Sequence, residues 1–109
     1  AEDRFAGYRA SPDFIQRYIF PGGMLPTRRH LHDLGAAHGL RVDGEDLFGL
    51  DYARTLAEWR ERFLAEWPAI EPLGFDDRFR RMWEYYLAYC EGGFRGGQID
   101  VCQIAYARN

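Results

Sequence analysis

The segment from Asp51 to Trp67 most constrains the fold, because its apolar residues recur at helical spacing. These residues step by three or four along the chain: Tyr52, Leu56, Trp59, Phe63 and Trp67. Arginines and glutamates alternate along another face, which is typical of a helix with one solvent-exposed side. The pattern predicts one long amphipathic helix that ends or kinks at Pro68, since proline has no backbone donor.

A second long helix is predicted further along the chain, with Asp76 or Asp77 as its cap. Its apolar stripe comprises Phe79, Met82, Trp83, Tyr86, Cys90 and Phe94. The Gly92-Gly93 pair near its end is a poor helix former, so we expect close packing or unwinding there. The Gly96-Gly97 pair ends the helix.

Two shorter helices are predicted before these. Ser11, Pro12 and Asp13 are typical of a helix start, and the apolar face that follows ends before Pro21 in the corner Phe-Pro-Gly-Gly. That face comprises Phe14, Ile15, Tyr18 and Ile19. Thr27 is expected to cap a helix over residues 28–38 that stops at Gly39. In that helix we expect three inward-facing residues: Leu31, Leu34 and Ala37.

Only two segments favour β-structure. Leu40–Val42 is a short strand candidate, followed by a turn at Asp43-Gly44 and an irregular connection over Glu45–Leu50. Gln98–Tyr106 is the last strand candidate, with β-branched residues at its centre. Two strands do not form a sheet that is stable alone, so an α/β class is expected in which both join a larger sheet that this chain does not contain.

Composition limits the classes of function. The 109 residues suffice for one small domain, and 47% are hydrophobic. The formal charge of -3 gives no basic surplus, so we expect no nucleic-acid partner. Cys90 and Cys102 have no metal-type spacing and are expected to be buried thiols of a cytoplasmic protein. No apolar run has membrane-span length. The chain begins at Ala1, which we interpret as the start of a fragment or processed product.

Few residues suggest chemistry by themselves. His30, His32 and His38 share one short helix and are interpreted as surface residues, and no metal motif is present. Tyr52 opens a helix, so its ring can pack inward while its hydroxyl points to a cavity. Cys90 is a small residue on an aromatic stripe. Each of these two residues, taken singly, is more often part of a plain core.

Three segments, taken together, closely resemble the C-terminal part of the cyclopropane-fatty-acyl-phospholipid synthases, in the superfamily of mycolic acid cyclopropane synthases. They read FIQRYIFPGGMLPT, DYARTLAEWRERFL and FDDRFRRMWEYYLAYCEGGFRGGQIDVCQ. The resemblance implies a Rossmann-like class I methyltransferase fold, of which residues 1–109 are the C-terminal portion of one catalytic domain. The two strands would be the last two, at the antiparallel edge of its sheet.

The resemblance also implies the chemistry. Such enzymes use S-adenosylmethionine to add a methylene across a cis double bond of an unsaturated phospholipid acyl chain, and a bound bicarbonate is thought to act as base. It places Tyr52 among the bicarbonate ligands, and Phe20, Cys90 and Phe94 along the acyl channel. The S-adenosylmethionine loop and the remaining bicarbonate ligands would lie upstream of Ala1, so the fragment alone is expected to be inactive.

Alternatives stay open at this point. The parent protein is expected to be cytoplasmic and to contact the membrane peripherally, and a homodimer is one of the quaternary states left open. A methyl-branching relative of the synthases would carry the same segments. The alternative hypothesis from a different functional class is a non-catalytic helical module that binds apolar chains or a partner.

Overall fold

The structure is a computed structural model that describes residues 1–10, 13–21 and 23–109. Its longer elements, in chain order, are α1 (Phe5–Ala10), α2 (Arg28–Ala37), β1 (Leu40–Leu47), α3 (Gly49–Ala65), α4 (Trp67–Ile70), α5 (Asp77–Arg95) and β2 (Cys102–Arg108). Short 3₁₀ turns lie at Glu2–Arg4 and Glu71–Leu73, and a π-helical turn lies at Ile15–Ile19. The residues divide into two compact units, 1–47 with 102–109, and 48–101.

The strands β1 and β2 pair antiparallel in the first unit, as the family resemblance implies. The ladder runs from Leu40 opposite Arg108 to Leu47 opposite Cys102. The predicted turn at Asp43-Gly44 is wrong, because the register only shifts between Val42 and Gly44 and the strand continues. Such a bulge inserts a residue without ending the pairing.

Two boundaries near these strands also differ from the predictions. The irregular connection expected over Glu45–Leu50 is wrong, since β1 runs to Leu47 and α3 begins at Gly49. The last strand begins at Cys102 rather than Gln98. In both places the pairing partner lies far away in the sequence, so local composition does not mark the ends.

The start of α2 agrees with the prediction. The Thr27 hydroxyl accepts from the His30 amide at 3.2 Å, and His30 Nδ1 accepts from the Thr27 amide at 3.2 Å, forming a reciprocal cap. Gly39, just beyond the helix, has φ 77°, which suits a glycine stop.

The inward face expected for α2 is wrong for two of its three residues. Leu34 is 60% exposed and Ala37 is exposed, while Leu31 is half-buried. Gly35 is the buried residue, because the Tyr106 ring of β2 lies directly against its backbone.

The helical turn before Pro21 spans Ile15–Ile19 and is flanked by Phe14 and Phe20. Asp13 caps it, since Asp13 Oδ1 accepts from the Gln16 amide and the Gln16 side chain accepts from the Asp13 amide, each at 2.9 Å. The predicted capping role of Ser11 and the position of Pro12 lie outside the described residues.

The second unit is built mainly from α3 packed against α5. Helix α3 ends at Ala65, and Pro68 lies in the first turn of α4, where its missing N–H costs nothing. Asp76 caps α5 by accepting from the Phe79 amide at 2.9 Å, as predicted. The buried apolar side chains of this unit are Ala53, Leu56, Trp67, Leu87 and Cys90.

The glycines at the end of α5 confirm close packing at one position. A Cβ on Gly93 would lie 3.0 Å from the Ile99 side chain, whereas nothing lies within 4 Å of a Cβ on Gly92. Gly96 is the C-terminal cap, and Gly97 has φ 73°.

Candidate functional site

Tyr52 lies in the first turns of α3 and packs between two aromatic rings. Its ring centroid is 5.2 Å from that of Phe94, with the planes tilted by 58°. It is 5.9 Å from that of Trp59, in an edge-to-face arrangement of 80°. Tilted and edge-to-face geometries are the favoured ones for aromatic pairs, so the Tyr52 ring is held in a defined orientation.

Cys90 lies one helical turn before Phe94 on α5 and is 8% exposed. Its side chain lies beside that of Tyr86, one turn earlier. Burial first, and then the neighbouring Cys90 and Tyr52, raise the pKa of the Tyr86 phenol above its ordinary value. Tyr86 is therefore a neutral hydroxyl beside Tyr52 at physiological pH.

Three predicted site residues, Tyr52, Cys90 and Phe94, thus lie in one unit, where α3 faces α5. We call Tyr52, Tyr86, Cys90 and Phe94 the α3–α5 cluster. It combines apolar ring faces, a small thiol and phenol hydroxyls. Such a mixture can line an apolar ligand and offer a few placed hydrogen-bond donors.

Phe20, the fourth predicted site residue, belongs to the other unit. It follows the π-helical turn, its amide donates to the Ile15 carbonyl at 2.7 Å, and it is 57% exposed. Its place in the same site as Tyr52 stays a prediction.

Asp100 is a residue near the α3–α5 cluster that sequence reasoning missed. Its Oδ1 atom accepts from the amides of Gly49 and Val101, each at 2.8 Å. A usable indication was present in the sequence, because aspartate is unfavourable inside a strand and Asp100 lies inside the predicted strand Gln98–Tyr106.

A polar cluster joins α2 to β1 in the first unit and was also missed. Glu45 of β1 accepts from Arg28 Nε and lies 3.1 Å from His32 Nε2. The hydrogen bond from Arg28 holds the pKa of Glu45 below its ordinary value, although partial burial acts in the opposite direction. This ion pair links the helix to the strand.

Among residues 1–10, 13–21 and 23–109, no group of three or more His, Cys, Asp or Glu side chains is arranged to hold a metal ion. All three histidines have structural contacts of their own, and that of His32 is the contact with Glu45. His30 completes the cap of α2, and the His38 ring is hydrogen-bonded to the Leu34 carbonyl at 2.8 Å.

The comparison with known protein families decides the identity. The family described as mycolic acid cyclopropane synthetase matches residues 2–104. The chain belongs to this family. The resemblance predicted from the three sequence segments is therefore confirmed.

Two curated relatives show what other members do. The chain is 46% identical over 106 residues to the tuberculostearic acid methyltransferase UfaA1 of Mycobacterium tuberculosis, covering 96% of the chain and 25% of UfaA1. It is 42% identical over 95 residues to the cyclopropane-fatty-acyl-phospholipid synthase of Escherichia coli K12, covering 87% of the chain and 24% of the synthase. The family therefore includes lipid methyltransferases and cyclopropane synthases, and this chain spans about a quarter of each.

Solved structures of cyclopropane synthases confirm the fold. The cyclopropane synthase MmaA2 from M. tuberculosis superposes with a TM-score of 0.83 at 29% identity, over 98% of this chain and 35% of MmaA2. The mycolic acid cyclopropane synthase CmaA1, complexed with SAH and CTAB, gives 0.81 at 30% identity, over 95% and 35%. The chain thus has the fold of part of an α/β methyltransferase, helix-rich with two antiparallel strands.

The described part of the chain contains no helix that is both long and apolar enough to cross a membrane.

Proposed function

We propose that residues 1–109 are the C-terminal portion of the catalytic domain of an S-adenosylmethionine-dependent lipid methyltransferase. The reaction is the addition of a methylene across a cis double bond of an unsaturated phospholipid acyl chain. One observation carries the proposal: in a chain of this family, Tyr52, Cys90 and Phe94 belong to one cluster between α3 and α5. The family match supports the lipid class, and the relatives support the transfer of a one-carbon group.

The proposed role of Tyr52 is to hold a small anion, bicarbonate, by donating its phenol hydrogen. Neutral hydroxyls are suitable donors for an oxyanion, and the neighbouring phenol of Tyr86 has a raised pKa. These groups fit bicarbonate as part of a ligand set rather than as the whole of it. When bound, S-adenosylmethionine supplies the reactive carbon and bicarbonate supplies a base.

The proposed role of Cys90 and Phe94 is to line the acyl channel, together with Phe20. A cysteine at a buried position leaves room beside it that a larger side chain would fill. The faces of Tyr52 and Phe94 can also stabilise positive charge that develops on the acyl chain, because aromatic faces attract cations. No residue of this chain is assigned to S-adenosylmethionine, whose binding residues the resemblance places upstream.

A methyl-branching reaction is the second candidate, and one observation favours it. The chain is 46% identical to UfaA1, a tuberculostearic acid methyltransferase, and 42% identical to the E. coli cyclopropane synthase. The two reactions share the methyl transfer to an alkene and differ in how the resulting cation is resolved. The α3–α5 cluster is compatible with both.

The proposed setting follows from the substrate. Phospholipid acyl chains lie in a membrane, so we propose a cytoplasmic enzyme that contacts the membrane surface peripherally. A homodimer stays a prediction.

The test uses the complete protein that contains this chain, with methyl-labelled S-adenosylmethionine and vesicles of a monounsaturated phospholipid. Label in the acyl chain supports the proposal, and saturated phospholipid is the control because it offers no alkene. Nuclear magnetic resonance of the product distinguishes a cyclopropane ring from an isomeric methylene branch. Absence of label from the unsaturated lipid overturns both candidate reactions and favours a non-catalytic module.

A further inference from the structure

Asp100 joins two chain segments that are far apart in sequence but lie in the same unit. Its Oδ1 atom accepts from the Gly49 amide at 2.8 Å, at the first residue of α3. Beside this bond, the Phe48 amide donates to the Val101 carbonyl at 3.0 Å. The start of α3 is therefore fixed to the segment that precedes β2 by both a side-chain bond and a backbone bond.

The packing at this junction leaves no spare room. A Cβ added to Gly49 would overlap the Asp100 carboxylate and lie 3.2 Å from the Phe94 ring. Gly49 is buried, and glycine is the residue that allows both groups to approach the backbone. Asp100 and Phe94 thus meet at the first residue of α3.

Tyr52 lies three residues after Gly49 and therefore on the same side of α3. Its ring contacts Phe94, the residue that also packs on Gly49. Any rotation of the first turn of α3 would move the Tyr52 hydroxyl. The Asp100 carboxylate opposes such rotation through a charge-assisted bond at the positive end of the helix.

We propose that Asp100 is a positioning residue for Tyr52, holding the first turn of α3 so that the phenol points at its anion. This inference rests on the proposed function, because it takes Tyr52 as the residue that holds bicarbonate. In this role Asp100 acts through the Gly49 amide and not on the anion itself.

The experiment compares three variants of the complete enzyme. Asp100→Ala removes the bond to Gly49, whereas Asp100→Asn keeps an oxygen that can accept from both amides. Asp76→Ala is the matched control, because Asp76 caps α5 through an equivalent bond of 2.9 Å, to the Phe79 amide. Both alanine variants lose a carboxylate bond to an amide in the first turn of a helix, and Asp100→Ala also loses the bond to the Val101 amide. Only the Asp100 bond lies beside Tyr52.

The first readout is the bicarbonate concentration that gives half-maximal methyl transfer. Asp100→Ala is expected to raise it by about tenfold or more, since small displacements of a catalytic group are costly. Asp76→Ala is expected to leave it close to the wild-type value. Asp100→Asn, which keeps the acceptor oxygen but loses the charge, is expected to raise it less than Asp100→Ala does. Equal values for Asp100→Ala and Asp76→Ala would overturn the positioning role, because a general loss of stability would then explain both.

The second readout does not depend on activity. With 3-fluorotyrosine at position 52, the fluorine resonance is expected to shift in Asp100→Ala and to stay in place in Asp76→Ala. If the wild-type enzyme labels no lipid, the proposed function fails, and the resonance then reports only whether Asp100 fixes the orientation of the Tyr52 ring. An unshifted resonance in Asp100→Ala overturns that role even when the enzyme is active.

Discussion

The aromatic ring of Tyr106 in β2 lies directly against the backbone of Gly35 in α2. The Tyr106 hydroxyl also donates to the Leu31 carbonyl at 2.9 Å, which fixes the ring across the helix. A Cβ on Gly35 would lie 2.6 Å from ring atom Cε1, closer than atoms can approach. The contact between helix and strand in the first unit thus requires a residue without a side chain at position 35.

We therefore expect Gly35→Ala to destabilise the protein. Alanine is the better helix former by about 1 kcal/mol, so helix propensity alone predicts the opposite sign. Displacing the Tyr106 ring is expected to outweigh this gain and give a net loss of about 1 kcal/mol or more. Urea unfolding measures the difference.

Gly92→Ala is the matched control for this change. Gly92 is an exposed residue of α5 with nothing within 4 Å of an added Cβ, so the same substitution should stabilise by about 0.5–1 kcal/mol. A Gly35→Ala protein that is more stable than wild type would show that the ring moves aside at little cost.

The Glu45 carboxylate gives the first unit a predictable acid sensitivity. Its pKa in the folded protein is lowered from 4.5, chiefly by the hydrogen bond from Arg28. The stabilisation that the ionised Glu45 carboxylate contributes is therefore fully present above pH 4.5. It is lost as the pH falls through the lower pKa that Glu45 has in the folded protein. Urea unfolding over this pH range measures the free energy of unfolding, and Glu45→Gln should reduce its decrease at acid pH. The same change at Glu58, an exposed residue of α3, should leave that decrease unaltered.

Cys90→Trp should restrict the length of acyl chain that the complete enzyme accepts. Cys90 is 8% exposed, and an indole there would fill the space beside Phe94. Activity on long-chain phospholipid should fall much more than activity on short-chain phospholipid, measured as kcat/KM. Because overpacking also costs about 1–3 kcal/mol of stability, the ratio between the two substrates is the informative quantity. An equal loss on both would count against a channel at Cys90.

Local features of the sequence predicted much of this fold. The caps at Thr27 and Asp76, the stop at Gly39 and the two long helices each depend on residues within a few positions of one another. The sequence periodicity also predicts most of the apolar faces of α3 and α5, although Trp59 of the predicted face is 44% exposed. In each of these cases the residues that determine the feature lie within the predicted segment itself.

Features that depend on distant partners were not predictable in this way. The exposure of Leu34 follows from Tyr106 selecting Gly35 as the buried position. The continuation of β1 past Gly44 follows from its pairing with β2. Both partners lie some 60 to 70 residues further along the chain.

The candidate site likewise has features that local sequence predicts and features that depend on distant residues. The grouping of Tyr52, Cys90 and Phe94 was expected from the family resemblance, and helical spacing alone places Cys90 one turn from Phe94. The bond from the Gly49 amide to Asp100 spans 51 positions in sequence, and no local pattern connects the two residues. Only the folded chain brings them together.

Tyr52→Phe tests the residue on which the proposed chemistry depends most. The change removes one hydroxyl and keeps the ring that packs on Phe94 and Trp59, so the fold should be intact. A hydrogen bond to a charged partner contributes about 1.5–3 kcal/mol, and about 1.4 kcal/mol corresponds to a factor of ten. Turnover of the complete enzyme at limiting bicarbonate should therefore fall by at least about tenfold.

Tyr85→Phe is the control, because Tyr85 lies on α5 with 51% of its surface exposed and stacks on Tyr89. Near-normal turnover of Tyr52→Phe at limiting bicarbonate would remove Tyr52 from the anion site, while the same loss in both variants would point to a general effect of removing a phenol.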